Sequence, residues 1–143
     1  RSTQGVSSAA SDVYKRQIKA VWTTAGSFDL LRDLFDYYPP IQDRVRWIIG
    51  AEDLSATRKA LVDYTMDGVA QKIECPMLIG YGATDRIMDP QGAFRLYEAA
   101  VNSDRQMWSD AGHPHHDEKS GGPKKLRLPT AEDWAGVKLG ALT

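Results

Sequence analysis

The fold is decided by the stretch Ile73-Glu-Cys-Pro-Met-Leu-Ile-Gly-Tyr-Gly-Ala-Thr-Asp-Arg-Ile-Met-Asp89 and by a second one, Arg105-Gln-Met-Trp-Ser-Asp-Ala-Gly-His113-Pro-His-His-Asp117. In the first, residues 77–81 form an apolar run that a proline opens and a glycine closes. Such a run is typical of a strand buried on both faces of a sheet. Asp85 follows just past the carboxyl end of this predicted strand. In open parallel sheets, ligands and catalytic groups gather at that end.

A helix and a second strand follow Asp85. Pro90 is suited to the first turn of a helix, and the apolar residues of the predicted helix recur at helical spacing, which places them on one face: Ala93, Leu96, Tyr97 and Ala100. Residues 106–108 predict a short strand that leads into a loop with His113. The order strand, acid, helix, strand, histidine predicts an α/β fold with a parallel sheet.

Asp85 and His113 together supply two of the three groups of a catalytic triad. The carboxylate would hold the imidazole in the correct tautomer, and the imidazole would take a proton from a nucleophile. The alternative for Asp85 is a turn residue paired locally with Arg86, because aspartate is common in turns. Asp89 is the competing carboxylate, but its place before a proline predicts a helix N-cap.

The same residues resemble the C-terminal part of an α/β-hydrolase, whose triad follows the chain order nucleophile, acid, histidine. In that resemblance, Asp85 matches the acid after the penultimate core strand, and His113 matches the histidine after the last. Gly112 and Asp117 fit the residues that flank the family's histidine. The resemblance implies a partial α/β-hydrolase fold, made of the last three parallel core strands, a helical cap insertion and flanking helices.

Further segments are similar to the branch that holds 2,6-dihydroxypseudooxynicotine hydrolase and related capped esterases and peptidase-like enzymes. They are residues 64–76, 82–86, 96–102 and 133–134, so that the resemblance extends over roughly residues 18–140. It implies hydrolysis of a carbonyl substrate (a C–C bond, an ester or an amide) through an acyl-enzyme. It also implies a small-molecule substrate, which for C–C cleavage would be an acyl-aromatic compound, and no cofactor. The full-length enzyme could form a homodimer.

The nucleophile itself is missing from the sequence. No Gly-x-Ser-x-Gly motif occurs, and Gly5-Val-Ser7-Ser-Ala9 lacks the buried strand that such an elbow needs before it. Residues 1–17 show no apolar period, and we set them aside as a non-native leader. Residues 18–22 predict the strand that follows the nucleophile helix in the family. We therefore expect residues 18–143 to be a C-terminal fragment, with the nucleophile encoded upstream of Ile18.

Residues 27–73 predict a helical cap segment. Three helices are indicated, over residues 28–37, 41–49 and 54–64; the Pro39-Pro40 pair ends the first and Gly50 the second. Four aromatic side chains could line a pocket for a flat substrate or pack the cap onto the sheet, and the latter is favoured for any single one: Trp22, Tyr37, Tyr38 and Trp47. Farther on, Thr130 and Asp133 fit the capping box of a last helix.

Composition excludes several classes of protein. The chain has 143 residues and a net charge of −1 with acids and bases mixed, which gives no basic stripe for nucleic acid. Its one cysteine, Cys75, excludes an internal disulfide, fits a cytoplasmic setting, and predicts a small buried thiol. No apolar run approaches the roughly 20 residues of a membrane span.

Other readings of the site are weaker. His113, His115, His116 and Asp117 offer metal ligands, but residues so close in sequence rarely surround one ion, and we expect no metal. A dinucleotide site is disfavoured because Asp85 stands where the third glycine of the fingerprint would lie. The alternative to an enzyme is a non-catalytic piece that binds a small ligand or a partner through its open sheet edge.

Overall fold

A three-stranded parallel sheet forms the centre of the structure, a computed structural model that describes residues 18–113 and 130–140. Its strands are β1 (Val21–Thr23), β2 (Met77–Gly82) and β3 (Arg105–Asp110), in that spatial order. Val21 pairs with Met77, and Met77 pairs in turn with Arg105. The predicted α/β architecture with a parallel sheet is therefore confirmed. Residues 1–17, for which the sequence predicts a non-native leader, lie outside the described residues.

The central strand is buried on both faces, as its apolar run predicts. Met77, Leu78 and Ile79 are each no more than 1% exposed. Side chains alternate along a strand, so Met77 and Ile79 enter one apolar cluster while Leu78 enters another. The sheet is thus covered on two sides.

Strand β1 is shorter than the sequence indicates. The apolar run begins at Ile18, but that side chain is 52% exposed, and pairing with β2 starts only at Val21. The Val21 amide donates to the carbonyl of Pro76 at 2.9 Å. The pairing of β1 with β2 therefore begins where β2 itself begins, and the apolar side chain of Ile18 does not lengthen the strand.

Helix α3 (Pro90–Ala99) covers the face of the sheet that presents Met77 and Ile79. Its helical face carries the buried side chains of Ala93 and Leu96 into that cluster. Tyr97 is half-buried and lies under the Arg105 guanidinium, whose central carbon is 4.7 Å from the ring centroid. The predicted apolar face of this helix is confirmed.

Helix α4 (Ala131–Lys138) covers the opposite face, where Ala131 and Trp134 pack with Leu78. Its start is the predicted capping box: the Thr130 hydroxyl accepts from the Asp133 amide at 3.1 Å, and the Asp133 carboxylate accepts from the Thr130 amide at 3.0 Å. Two amides at the helix start, which have no partner within the helix, are satisfied in this way.

The helical segment, residues 27–73, lies between β1 and β2 in the chain. It contains a π-helical turn and two 3₁₀ turns beside two α-helices: the π turn Leu31–Asp36, the 3₁₀ turn Pro39–Ile41, α1 (Gln42–Ile49), α2 (Leu54–Leu61) and the 3₁₀ turn Ala70–Lys72. The predicted stops are confirmed. Tyr38, with a φ of −124° and a ψ of 82°, lies outside the helical region before Pro39, and Gly50 caps α1 with a φ of 74°.

The apolar residues of α1 recur at helical spacing (Val45, Ile48 and Ile49), which predicts one buried face, but that face is only partly covered. Val45 and Ile49 are half-buried, whereas Ile48 is 67% exposed and no residue of the helix is fully buried. In α2, by contrast, Thr57 and Leu61 are completely buried. No helix among residues 18–113 and 130–140 is both long and apolar enough to cross a membrane.

Candidate functional site

The loops after β2 and β3 stay joined beyond the ends of the strands. The Ala83 amide donates to Asp110 at 2.7 Å, and the Thr84 amide donates to Ala111 at 3.1 Å. The Thr84 hydroxyl donates to the same Ala111 carbonyl. Because the two loops run together for these residues, they arrive side by side at Asp85 and His113.

Gly82 permits this close approach. A Cβ atom at Gly82 would lie 1.9 Å from the carbonyl oxygen of Gly112 and 3.0 Å from the Cβ atom of Asp85. No side chain fits in that space without moving backbone, so the absence of a side chain at residue 82 lets the two loops meet.

Asp85 and His113 form a direct contact at this point. The Nδ1 atom of His113 lies 2.6 Å from Oδ2 of Asp85. The Asp85 side chain is 1% exposed and the His113 side chain 25% exposed. The carboxylate is therefore buried, while the histidine reaches the surface. The structure thus brings together the two residues that the sequence singles out, although they are separated by α3 and β3.

The other oxygen of Asp85 is held by its own loop, residues 85–89, which we call the acid loop. Oδ1 accepts from the amides of Ile87 at 2.7 Å and Met88 at 3.0 Å. Burial acts to raise the pKa of Asp85, but these two amides and the contact with His113 outweigh burial, and the pKa lies below its ordinary value. Asp85 is therefore ionised at neutral pH, and His113 donates its Nδ1 proton to it.

This arrangement has a definite chemical capacity. With Nδ1 protonated and bound to a carboxylate, the basic position of a neutral imidazole is Nε2. The buried carboxylate also stabilises the imidazolium that forms when Nε2 takes a proton. The pair is thus equipped as an oriented general base, and it needs a proton donor on the Nε2 side.

A tyrosine of the helical segment contacts the acid loop. The Tyr37 hydroxyl donates to the backbone carbonyl of Asp85 at 2.8 Å. The sequence marks Tyr37 only as an aromatic of the helical segment, and this contact is missed because a hydrogen bond between residues so distant in sequence follows no periodic pattern.

Asp33 is a second residue that the sequence analysis misses. It is completely buried, and its carboxylate accepts from the amides of Phe28 at 2.7 Å and Asp29 at 2.9 Å and forms an ion pair with Arg95 on α3. Its backbone carbonyl accepts from the amide of Asp89 at 2.9 Å. Asp33 therefore joins the helical segment to α3 and to the end of the acid loop. Asp89 itself caps α3 through the Gln91 amide, as predicted.

The remaining aromatic candidates do not converge on the pair. Trp47 is 79% exposed, so it neither lines an enclosed pocket nor packs the helical segment onto the sheet within the described residues. Trp22 is 37% exposed on β1, and Tyr38 is half-buried. An open groove of about 400 Å³ does occur in the helical segment, beside Phe28 and Tyr64, but neither Asp85 nor His113 lines it.

The possible metal ligands lie partly outside the described residues. His115, His116 and Asp117 lie outside the described residues. Among residues 18–113 and 130–140, no three histidine, cysteine or acidic side chains are placed to hold a metal ion together. Cys75 is half-buried rather than fully buried, and its carbonyl accepts from the Ser103 hydroxyl at 2.6 Å.

No protein-family model and no curated protein matches the chain. The geometry of Asp85, His113 and their surroundings is therefore the basis for assigning a function.

Proposed function

We propose that this chain supplies the acid and the histidine of a serine-type α/β-hydrolase. The observation that carries the proposal is the 2.6 Å contact between His113 Nδ1 and a buried, ionised Asp85 carboxylate. The two residues follow adjacent parallel strands at the carboxyl end of the sheet, where catalytic groups of such sheets gather. The structural alternative, in which Asp85 is only a turn residue, would not explain why His113 binds its Oδ2 atom.

The reaction follows from the orientation of the imidazole. A serine hydroxyl, supplied by a segment outside these 143 residues, would attack the carbonyl carbon of the substrate while His113 Nε2 takes the hydroxyl proton. His113 would then give that proton to the leaving group as the bond to the carbonyl carbon breaks. Water would hydrolyse the acyl-enzyme by the same two proton transfers. Backbone amides of the outside segment would stabilise the oxyanion.

The fold-level part of the proposal rests on order and position. Three parallel strands in consecutive order, with helices on both faces, fit the last three core strands of an α/β-hydrolase. The helical segment, residues 27–73, would be the cap, and the bond from Tyr37 to Asp85 places part of it at the acid loop. The substrate would be a small carbonyl compound, cleaved at a C–C, ester or amide bond. The single cysteine fits a cytoplasmic enzyme.

The test uses the longer protein obtained by extending the reading frame upstream of Ile18. Asp85→Asn and His113→Ala variants are compared with wild type for hydrolysis of activated aryl esters and for labelling by a serine-directed phosphonate. Asp89→Asn is the matched control, because asparagine also caps a helix well. On the precedent of the triad with a similar substitution, Asp85→Asn should lower kcat by about 10⁴.

Two results would overturn the proposal. One is normal turnover in Asp85→Asn and His113→Ala. The other is an upstream frame without a strand, Gly-x-Ser-x-Gly and helix, in a protein that the phosphonate does not label. In the second case, the chain would be a non-catalytic binding domain.

A further inference from the structure

We propose that Tyr37 is a positioning residue for the Asp85–His113 pair, which it orients from the helical segment through the backbone of the acid loop. The role of the pair in catalysis rests on the proposed function above, whereas the positioning of the pair by Tyr37 can be measured without catalysis. The hydroxyl of Tyr37 binds the backbone carbonyl of Asp85 rather than its carboxylate, so its effect on the pair passes through the loop.

The helical segment holds the acid loop at both ends. At the first residue, the Tyr37 hydroxyl donates to the Asp85 carbonyl at 2.8 Å. At the last residue, the Asp89 amide donates to the Asp33 carbonyl at 2.9 Å. Asp33 lies within the π-helical turn Leu31–Asp36 and Tyr37 is its C-cap, so both bonds to the acid loop come from this one turn.

The backbone of this loop determines the direction of the carboxylate. Oδ1 of Asp85 is bound to the amides of Ile87 and Met88, two and three residues farther on. A rotation of the Asp85 peptide plane would break these bonds or turn Oδ2 away from His113. The hydroxyl of Tyr37 fixes that same peptide plane, because it binds the carbonyl oxygen of Asp85.

The π-helical turn that carries Asp33 and precedes Tyr37 is itself held by buried contacts. Asp33 is completely buried, and its carboxylate is tied to the Phe28 and Asp29 amides and to Arg95 on α3. Arg95 also lies 3.8 Å from the carboxylate of Asp89. The π-helical turn is therefore fixed to α3, the helix that follows the acid loop. This attachment holds the Tyr37 hydroxyl in place beside the Asp85 carbonyl.

The test compares Tyr37→Phe with Tyr38→Phe in the 143-residue chain. Each substitution removes one hydroxyl and little volume. The Tyr38 hydroxyl forms no hydrogen bond within residues 18–113 and 130–140, which makes it the matched control. Tyr37 is 40% exposed, so the removal of its hydroxyl group should leave the fold intact. The readouts are amide hydrogen exchange and the NMR signal of the His113 Nδ1 proton.

In Tyr37→Phe, the Ile87 and Met88 amides should exchange about fivefold faster, as expected for the loss of one neutral hydrogen bond. The His113 Nδ1 proton signal should broaden or shift upfield, toward its behaviour in Asp85→Asn. The amides of Leu78 and Ile79 in β2 should keep their wild-type rates, which a general loss of stability would not allow. Unchanged Ile87, Met88 and His113 signals, or the same changes in Tyr38→Phe, would overturn the proposal.

A kinetic arm separates this inference from the proposed function. In the longer enzyme, Tyr37→Phe should lower kcat about fivefold with little change in KM, because the hydroxyl is bound to the backbone of the acid loop. If the NMR changes occur but the longer protein shows no turnover and no phosphonate labelling, the positioning stands and the hydrolase assignment fails. If turnover is present but the NMR signals do not change, the hydrolase assignment stands and Tyr37 has no positioning role.

Discussion

Gly82 and Gly112 meet so closely that a Cβ atom on the first would lie 1.9 Å from the carbonyl oxygen of the second. This contact brings the loop of the acid and the loop of the histidine within hydrogen-bonding distance. Gly82→Ala should therefore separate the loops, weaken the Asp85–His113 contact and cost about 1–3 kcal/mol of stability, as overpacking does. Urea unfolding and the His113 Nδ1 proton signal measure the two effects.

Gly112→Ala is the control for that substitution. A Cβ atom at Gly112 would have no described atom within 4 Å. Its unfolding free energy and His113 signal should stay near the wild-type values. Equal losses in both variants would show that the narrow gap at Gly82 is not the cause.

Asp33 should be the most costly carboxylate to remove from the helical segment. Asp33→Ala leaves the amides of Phe28 and Asp29 and the guanidinium of Arg95 without their acceptor in a buried place. Removing one partner of a buried pair typically costs about 3–5 kcal/mol. Urea denaturation should show a loss of this size.

The comparison for Asp33 is Asp36, three residues farther on, which forms an ion pair with Arg58. Both side chains of that pair are more than a third exposed. Asp36→Ala should cost about 0–1 kcal/mol, because exposed pairs gain little in water. A loss as large as that of Asp33→Ala would contradict the role we assign to burial.

The pH dependence of stability should carry a contribution from Asp85. Its pKa in the folded chain is below the ordinary value, although burial acts to raise it, because the Ile87 and Met88 amides and His113 favour the carboxylate. At pH values between the folded and the unfolded pKa of Asp85, the unfolded chain therefore binds more protons than the folded chain, and stability rises with pH. The contribution is complete above the unfolded pKa of about 4 and is lost as pH falls through the lower folded value.

Asp85→Asn removes that titration. The difference in unfolding free energy between wild type and Asp85→Asn should therefore be larger at pH 7 than at pH 3. Urea denaturation at the two pH values measures it. A difference that is independent of pH would mean that the carboxylate is not preferentially ionised in the folded chain.

The capping box of α4 should contribute measurably. Thr130→Ala deprives the Asp133 amide of its acceptor, and the loss of such an N-cap costs about 1 kcal/mol. Glu132→Ala, in the same first turn, should cost only about 0.3 kcal/mol, since it removes a favourable charge near the helix dipole and no capping bond. Hydrogen exchange of the α4 amides would show whether Thr130→Ala loosens this helix in particular.

Local patterns in the sequence predict the parts of the fold that depend on neighbouring residues. The proline, apolar run and glycine around residues 77–82 place β2, and Asp89 before Pro90 places the start of α3, because strand burial and helix capping are short-range features. The pairing of Asp85 with His113 follows from the rule that ends of parallel strands lie at one edge of a sheet.

The contacts missed by sequence analysis join distant segments through single side chains. Tyr37 meets Asp85, and Asp33 meets Arg95, across α1, α2 and β2. Neither pair belongs to a repeat or a motif. The exposure of Ile48 escaped prediction for a related reason: helical spacing marks an apolar face, but it does not say whether another element covers it.

The register of the sheet also bears on the order of folding. β2, α3 and β3 are contiguous in the chain, whereas Val21 must find Met77 across the whole helical segment. Closing the longer loop costs more entropy, so the three-residue strand β1 should dock last. In a kinetic analysis, Val21→Ala should speed unfolding and leave folding nearly unchanged, whereas Leu96→Ala in α3 should slow folding. The reverse result would mean that β1 is already paired with β2 in the transition state of folding.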